Sequence, residues 1–207
     1  MFNVPLVVLL IAASMPTLYL FQRDLPDMGM SMAFAPIDLE QGRWGGLLTA
    51  MLLHGGWTHA IMNAVAALAF GTPVARLFGT KVGPTVFLLF YLVCGVLASL
   101  GYGLIHWGSS EPMVGASGAV FGLIGAATRL LGGQGRVLPM GDRRVISAAI
   151  TWMAVNAVTG MIGGLPGAEA RGSPGRLTRS ASSSAFWPSV PWGGCSEAGP
   201  RLIREAR

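Results

Sequence analysis

Charge is the scarcest commodity in this 207-residue chain: Asp, Glu, Lys and Arg together make up 11% of it. An ordinary soluble domain carries roughly a quarter, so a surface facing water on every side cannot be assembled here. Cysteine is nearly absent, with Cys94 and Cys195 the only two, which excludes a disulfide scaffold. The body of the chain also lacks the low hydrophobicity that disorder requires, because apolar residues reach 52% and the mean hydropathy is +0.58. The net charge is +5, but the basic residues are few and scattered, which argues against nucleic acid as a partner. The composition is that of a protein dissolved in a lipid bilayer.

What is present is a series of apolar runs. Crossing about 30 Å of hydrocarbon takes roughly 20 mostly apolar residues. Five runs qualify: Val4–Phe21, then about His59–Leu77, Val82–Trp107, Gly115–Leu131 and Val145–Gly164. The first has neither the basic flank nor the small-residue cleavage site of a secretory leader, so it reads as a retained span. Lys and Arg collect on the cytoplasmic side of a membrane. The loops after spans one and three hold Arg23 and Arg43 against Asp24, Asp27, Asp38, Glu40 and Glu111, a net −3. The loops after spans two and four hold Arg76, Lys81, Arg129, Arg136, Arg143 and Arg144 against Asp142, a net +5. This predicts a cytoplasmic N-terminus, an outer loop at Gln22–Gly56, and an all-α, polytopic membrane helix bundle. Residues 1–165 form the transmembrane domain, followed by a basic Ser/Gly/Pro/Arg-rich tail at 166–207 whose composition suits disorder.

Polar side chains at membrane depth are costly and tend to mark function. Span two opens with His54-Gly-Gly-Trp-Thr-His59-Ala-Ile-Met-Asn63. His59 and Asn63 are four residues apart and share one helix face, where two donors suit a developing negative charge. The same residues also fit a headgroup-level histidine and an asparagine joining helices. Span four opens with Gly115-Ala-Ser117-Gly118-Ala-Val-Phe121-Gly122-Leu-Ile-Gly125. Ser117 falls at the helix start, where backbone N–H groups lack acceptors and an oxyanion could be held. A simple N-cap serine on a small-residue helix is the alternative. The glycines at 118, 122 and 125 predict a face that lets a neighbouring helix approach closely.

Together the two motifs resemble the rhomboid family of intramembrane serine proteases, as do the long outer loop with Gly42-Arg43-Trp44 and the inside N-terminus. The resemblance covers about residues 1–165. It implies Ser117 as nucleophile and the Ser117 N–H, His59 and Asn63 as the oxyanion hole. It further implies His54 as a structural histidine, Phe121 as a ring beside the catalytic imidazole, and Gly115, Gly118 and Gly122 as supporting glycines. Substrates would be transmembrane segments of membrane proteins, and the expected location is a bacterial inner membrane. No cofactor or metal is expected, since two histidines without an acidic or cysteine partner make a poor zinc set.

One component is missing. The family's base is a histidine on a sixth span, yet the only histidines here are His54, His59 and His106, and none follows Ser117. His106 closes span three, where an interfacial role fits better than catalysis. The tail stands where the sixth span should begin. Reading its codons from the third base of each residue lets Pro174 to Thr178 encode Trp-Glu-Ala-His. In the same frame Phe186/Trp187 must give leucine and Trp187/Pro188 must give alanine. One consistent solution is a sixteen-residue apolar stretch beginning at that histidine's own motif. The expectation is a frameshifted tail, and a chain that as written is an impaired protease. A non-catalytic relative that binds transmembrane clients is the competing reading. A transporter or channel is weaker, because the span interiors offer almost no ionisable path.

Overall fold

The structure is a computed structural model. It describes residues 4–132 and 137–161, apart from the side chains of residues 131, 153 and 155–161. The tail at 166–207, including the stretch expected to be frameshifted, lies outside the described residues.

Among the described residues, five long helices account for the five apolar runs: α1 (Leu6–Gln22), α4 (Trp57–Phe78), α5 (Gly83–Ile105), α6 (Ser117–Leu131) and α7 (Arg143–Met161). Two short helices, α2 (Ile37–Glu40) and α3 (Gly46–Thr49), interrupt the first loop. By length and composition α4 and α5 suffice to cross a membrane, whereas α1 and α6 are shorter apolar helices of 17 and 15 residues. The sequence-based limits hold to within two or three residues at each described end.

Helices α1, α4 and α5 each bury a narrow stripe and leave large apolar side chains outside, as a bundle in lipid should. On α5 the buried residues are Gly83, Phe87, Tyr91, Gly95, Ser99 and Gly103, an unbroken i, i+4 row. On α1 they are Val8, Ala12, Met15, Tyr19 and Gln22, spaced by alternating fours and threes. Meanwhile Leu10, Ile61, Leu89 and Leu97 are half-exposed or more, where water would make them a liability and lipid does not.

Helix α6 is the centre. Its Ala119, Val120, Leu123, Ile124 and Ala127 belong to the main core together with residues of α1, α4 and α5. Gly71 of α4 marks the point of convergence. A methyl there would meet Phe87 of α5 at 3.2 Å, Val8 of α1 at 3.3 Å and Leu123 of α6 at 3.4 Å. Gly118 and Gly122 press on Ala98 and Cys94 of α5, so close helix contact is obtained as predicted at those two positions. Gly125 departs from that expectation, since nothing lies within 4 Å of a methyl built there. It opens instead on a cleft of about 190 Å³ between α6 and α7, which Phe121 and Trp152 also line.

The loop between α1 and α4 is a folded layer with its own small core of Phe34, Leu39, Leu47 and Ala50, against Val96, Leu100, Tyr102 and Met113. Phe34 and Met113 form an isolated antiparallel bridge, with N–H···O distances of 3.2 and 2.7 Å. Arg43 is ion-paired with Asp38, whose carboxylate also accepts the Ala35 N–H at 2.9 Å. Further along, Gly115 donates its N–H to the Ala50 carbonyl at 2.8 Å. That bond ties the segment leading into α6 directly to the loop.

Candidate active site

Two of the polar residues singled out in the sequence, His54 and His59, meet at the head of α4, and Gly115, two residues before α6, lies against the His59 ring. Chain entry into α4 is fixed from α1. The Tyr19 ring meets Trp57 edge to face, with centroids 5.0 Å apart. One turn on, Gln22 takes hold of His54 by its backbone: its amide nitrogen donates to the His54 carbonyl at 2.9 Å, and its amide oxygen accepts the His54 N–H at 2.8 Å. The His54 side chain is buried, 1% exposed, and rests edge to face on the His59 ring at 5.4 Å. Neither of its ring nitrogens has a hydrogen-bond partner among the described residues.

His59 sits in the first turn of α4 and is half-buried. The Gly55 N–H points at its Nδ1 over 3.3 Å. A backbone N–H can only donate, so Nδ1 is the acceptor and the proton of the neutral ring belongs on Nε2. That edge of the ring lies against Gly115. A methyl on Gly115 would come 2.5 Å from His59 Cε1 and 2.9 Å from Nε2. Gly115 also has φ +121°, outside the range of ordinary L-residues. Glycine is therefore required twice over, by its own backbone and by the imidazole beside it.

Asn63 follows one turn deeper on the same helix. It is 6% exposed, and its amide nitrogen has no hydrogen-bond partner among the described residues. An unpaired buried amide costs about 1–3 kcal/mol, which is hard to sustain without a compensating use. Ser117 is half-buried at the first position of α6, after Ala116 as N-cap. Its N–H belongs to the first-turn set that a helix leaves without acceptors; the series of backbone bonds resumes at Val120, which donates to Ala116 at 3.0 Å.

Phe121, one turn below Ser117, is 39% exposed and faces the α6–α7 cleft. Ser117, Phe121 and Gly125, at i, i+4 and i+8, thus form one stripe whose lower part is uncovered among the described residues. His106 lies apart in role: it is exposed, stacked on Tyr102 at 4.3 Å, and its Nδ1 is 3.1 Å from the Tyr102 carbonyl. Sequence reasoning passed over Gln22 altogether. Its one signal was being an uncharged polar residue closing an apolar run. Among the described residues no group of three or more His, Cys, Asp or Glu could hold a metal ion.

Comparison with known proteins gives the following. The Rhomboid domain family matches residues 41–171. Rhomboid protease GluP of Bacillus subtilis (strain 168) is 40% identical over 88 residues, which are 42% of this chain and 16% of that protein. RHOMBOID-like protein 9, chloroplastic, of Arabidopsis thaliana is 36% identical over 85 residues, 41% of this chain and 18% of that protein. The matched stretch is less than a fifth of the length of either relative.

Proposed function

This chain belongs to the rhomboid family of integral membrane proteins, and from that premise we propose that its scaffold is that of an intramembrane serine endopeptidase acting on transmembrane segments of other membrane proteins. Ser117 is the nucleophile in this reading. The observation that carries it is the contact of the His59 ring with Gly115, two residues before Ser117, on helices that also carry other unspent hydrogen-bond donors. His59 keeps its Nε2–H free because Nδ1 is occupied by Gly55. Asn63 contributes a buried amide without a partner. The Ser117 N–H is a helix-start donor. Three such groups match what a tetrahedral oxyanion needs, and losing one donor of this kind typically costs about 10²–10³ in rate.

The length of α6 supports action inside the membrane. Fifteen residues rise only about 22 Å, less than the roughly 30 Å of hydrocarbon. Arg129 in its last turn belongs at a headgroup surface, and with the predicted orientation that surface is cytoplasmic. Ser117 then lies below the outer surface, at a depth where water must be admitted through a polar cavity. The same orientation makes the protein multi-pass with its N-terminus inside, in keeping with a bacterial inner membrane.

A serine hydroxyl is a weak nucleophile without an adjacent base, and no histidine follows Ser117 in the chain. Losing one member of a serine–histidine unit costs on the order of 10⁶ in kcat, so the chain as written is severely impaired. The tail at 166–207 is, in this account, out of frame. The alternative frame supplies Trp-Glu-Ala-His followed by an apolar run. Phe121 and Gly125, exposed on α6 below Ser117, are positions that a further helix carrying that base would cover.

A fluorophosphonate probe on the purified protein tests the proposal. A chain with the frame restored after residue 173 labels at Ser117, its Ser117→Ala variant does not, and the chain as written labels far more slowly. Should the restored chain fold and still refuse the probe, catalysis is the wrong reading. The missing histidine would then favour a non-catalytic rhomboid relative that holds transmembrane clients, a role that survives Ser117→Ala.

A further inference from the structure

We infer that Gln22, at the end of α1, is a positioning residue that sets the tautomer and aim of His59 through the backbone of the His54–Gly55 segment. The inference rests on the reading of His59 as an oxyanion donor. Its steps are geometric. The Gln22 amide is buried, 4% exposed, and both of its ends are committed to His54, the nitrogen to the carbonyl at 2.9 Å and the oxygen to the N–H at 2.8 Å. Two antiparallel bonds from one rigid amide fix both the position and the rotation of a peptide segment, as a β-ladder pair does.

The next residue, Gly55, donates to His59 Nδ1 at 3.3 Å. That distance is at the long end of a useful bond, so a small rotation of the Gly55 peptide would break it. With the bond in place Nδ1 is bare and Nε2 carries the proton beside Gly115. With the bond gone, either nitrogen can carry it, and in the Nδ1–H form the ring turns a lone pair toward the site instead of a donor. Among the described residues the Gln22 side chain hydrogen-bonds to the His54 backbone and not to Ser117, His59 or Asn63. Its effect passes through the His54 backbone alone. No charged group is needed for this control, which suits a site at membrane depth where charge is expensive.

Ring-¹⁵N histidine NMR of the whole chain in micelles, at mildly alkaline pH, reads the tautomer directly and needs no proteolysis. His59 is assigned by comparison with His59→Gln. The wild-type ring shows a protonated Nε2 and a bare Nδ1. In Gln22→Leu, which removes both bonds, the ratio of Nε2–H to Nδ1–H falls by roughly fivefold or more, the factor one lost hydrogen bond is worth. Because that variant strands two buried backbone groups and can fail to fold, Gln22→Glu is measured beside it. Glutamate keeps the acceptor for the His54 N–H and loses the donor to the carbonyl, so it gives a smaller fall with the helix content by circular dichroism unchanged. A wild-type His59 protonated on Nδ1 overturns the inference, and so does a folded Gln22 variant whose His59 tautomer is unchanged. A fluorophosphonate failure in the restored chain would instead strike the catalytic reading and leave this result standing.

Discussion

Gly115 carries the sharpest demand of any single residue. Its φ of +121° and the His59 ring 2.5 Å from where a methyl would stand leave no room for a side chain. Gly115→Ala should therefore cost at least about 1–3 kcal/mol in backbone strain alone, visible as a lowered melting temperature in detergent. In the frame-restored chain it should also slow fluorophosphonate labelling by moving His59. Gly42, whose φ is +68° but whose surroundings are open, should tolerate Asn with little change. At this scale the sequence was readable where chemistry imposes a spacing. Ser117 beside glycine, and His59 with Asn63 four residues on, stand out as candidates because each pattern lies within about one helix turn. Gln22 did not, because its partner His54 is 32 residues away and a lone glutamine has no spacing to read. The acceptor role of His59 Nδ1 was equally hidden, being a fact about the Gly55 peptide plane.

Between elements, the contact that matters most is α6 on α5. Gly118 and Gly122 let α6 lie against Ala98 and Cys94, and a methyl at 122 would come 2.5 Å from the Cys94 sulfur. Backbone approach of this kind replaces the hydrophobic effect, which is lost when the surrounding solvent is itself apolar. Gly122→Ala should destabilise the protein by about 1–3 kcal/mol, as overpacking does. Gly125→Ala should be neutral or slightly stabilising, since the position is open and alanine is the better helix former. Parallel thermal unfolding of the two variants checks the contrast, and equal effects would place the contact wrongly. The sequence displayed three small residues on one face but not where α5 ends its contact and the α6–α7 cleft begins. Helix crossing, not periodicity, decides that. The first loop was likewise legible only as a loop. Its folding depends on the Phe34–Met113 bridge and the Asp38–Arg43 pair, and the bridge joins residues far apart in the chain.

For the molecule as a whole, five apolar runs became five long helices, and the sparse charge of the composition reappears as helices with apolar outer faces. The proposed orientation is open to a direct check. With Cys94 and Cys195 replaced by serine, a cysteine at Gly42 should react in intact cells with a maleimide that cannot cross the membrane, and one at Lys81 should not. The reverse pattern would invert the topology and place Ser117 near the wrong surface. The base that the proposed reading calls for belongs to this scale too, because it would come from a further span and not from the two helix turns that carry Ser117 and His59. In the proposed reading Ser117, His59 and Asn63 supply the nucleophile and the oxyanion donors, and no histidine follows Ser117 to act as base.

The most direct measurement is the nucleotide sequence of the gene, read from its source across the codons for Gly160 to Arg207. The account predicts a single gained or lost base, after which the frame reads Trp-Glu-Ala-His followed by an apolar span. A confirmed sequence in which neither shifted frame yields a histidine heading an apolar run would contradict it, and would leave Ser117 without a base in the natural protein.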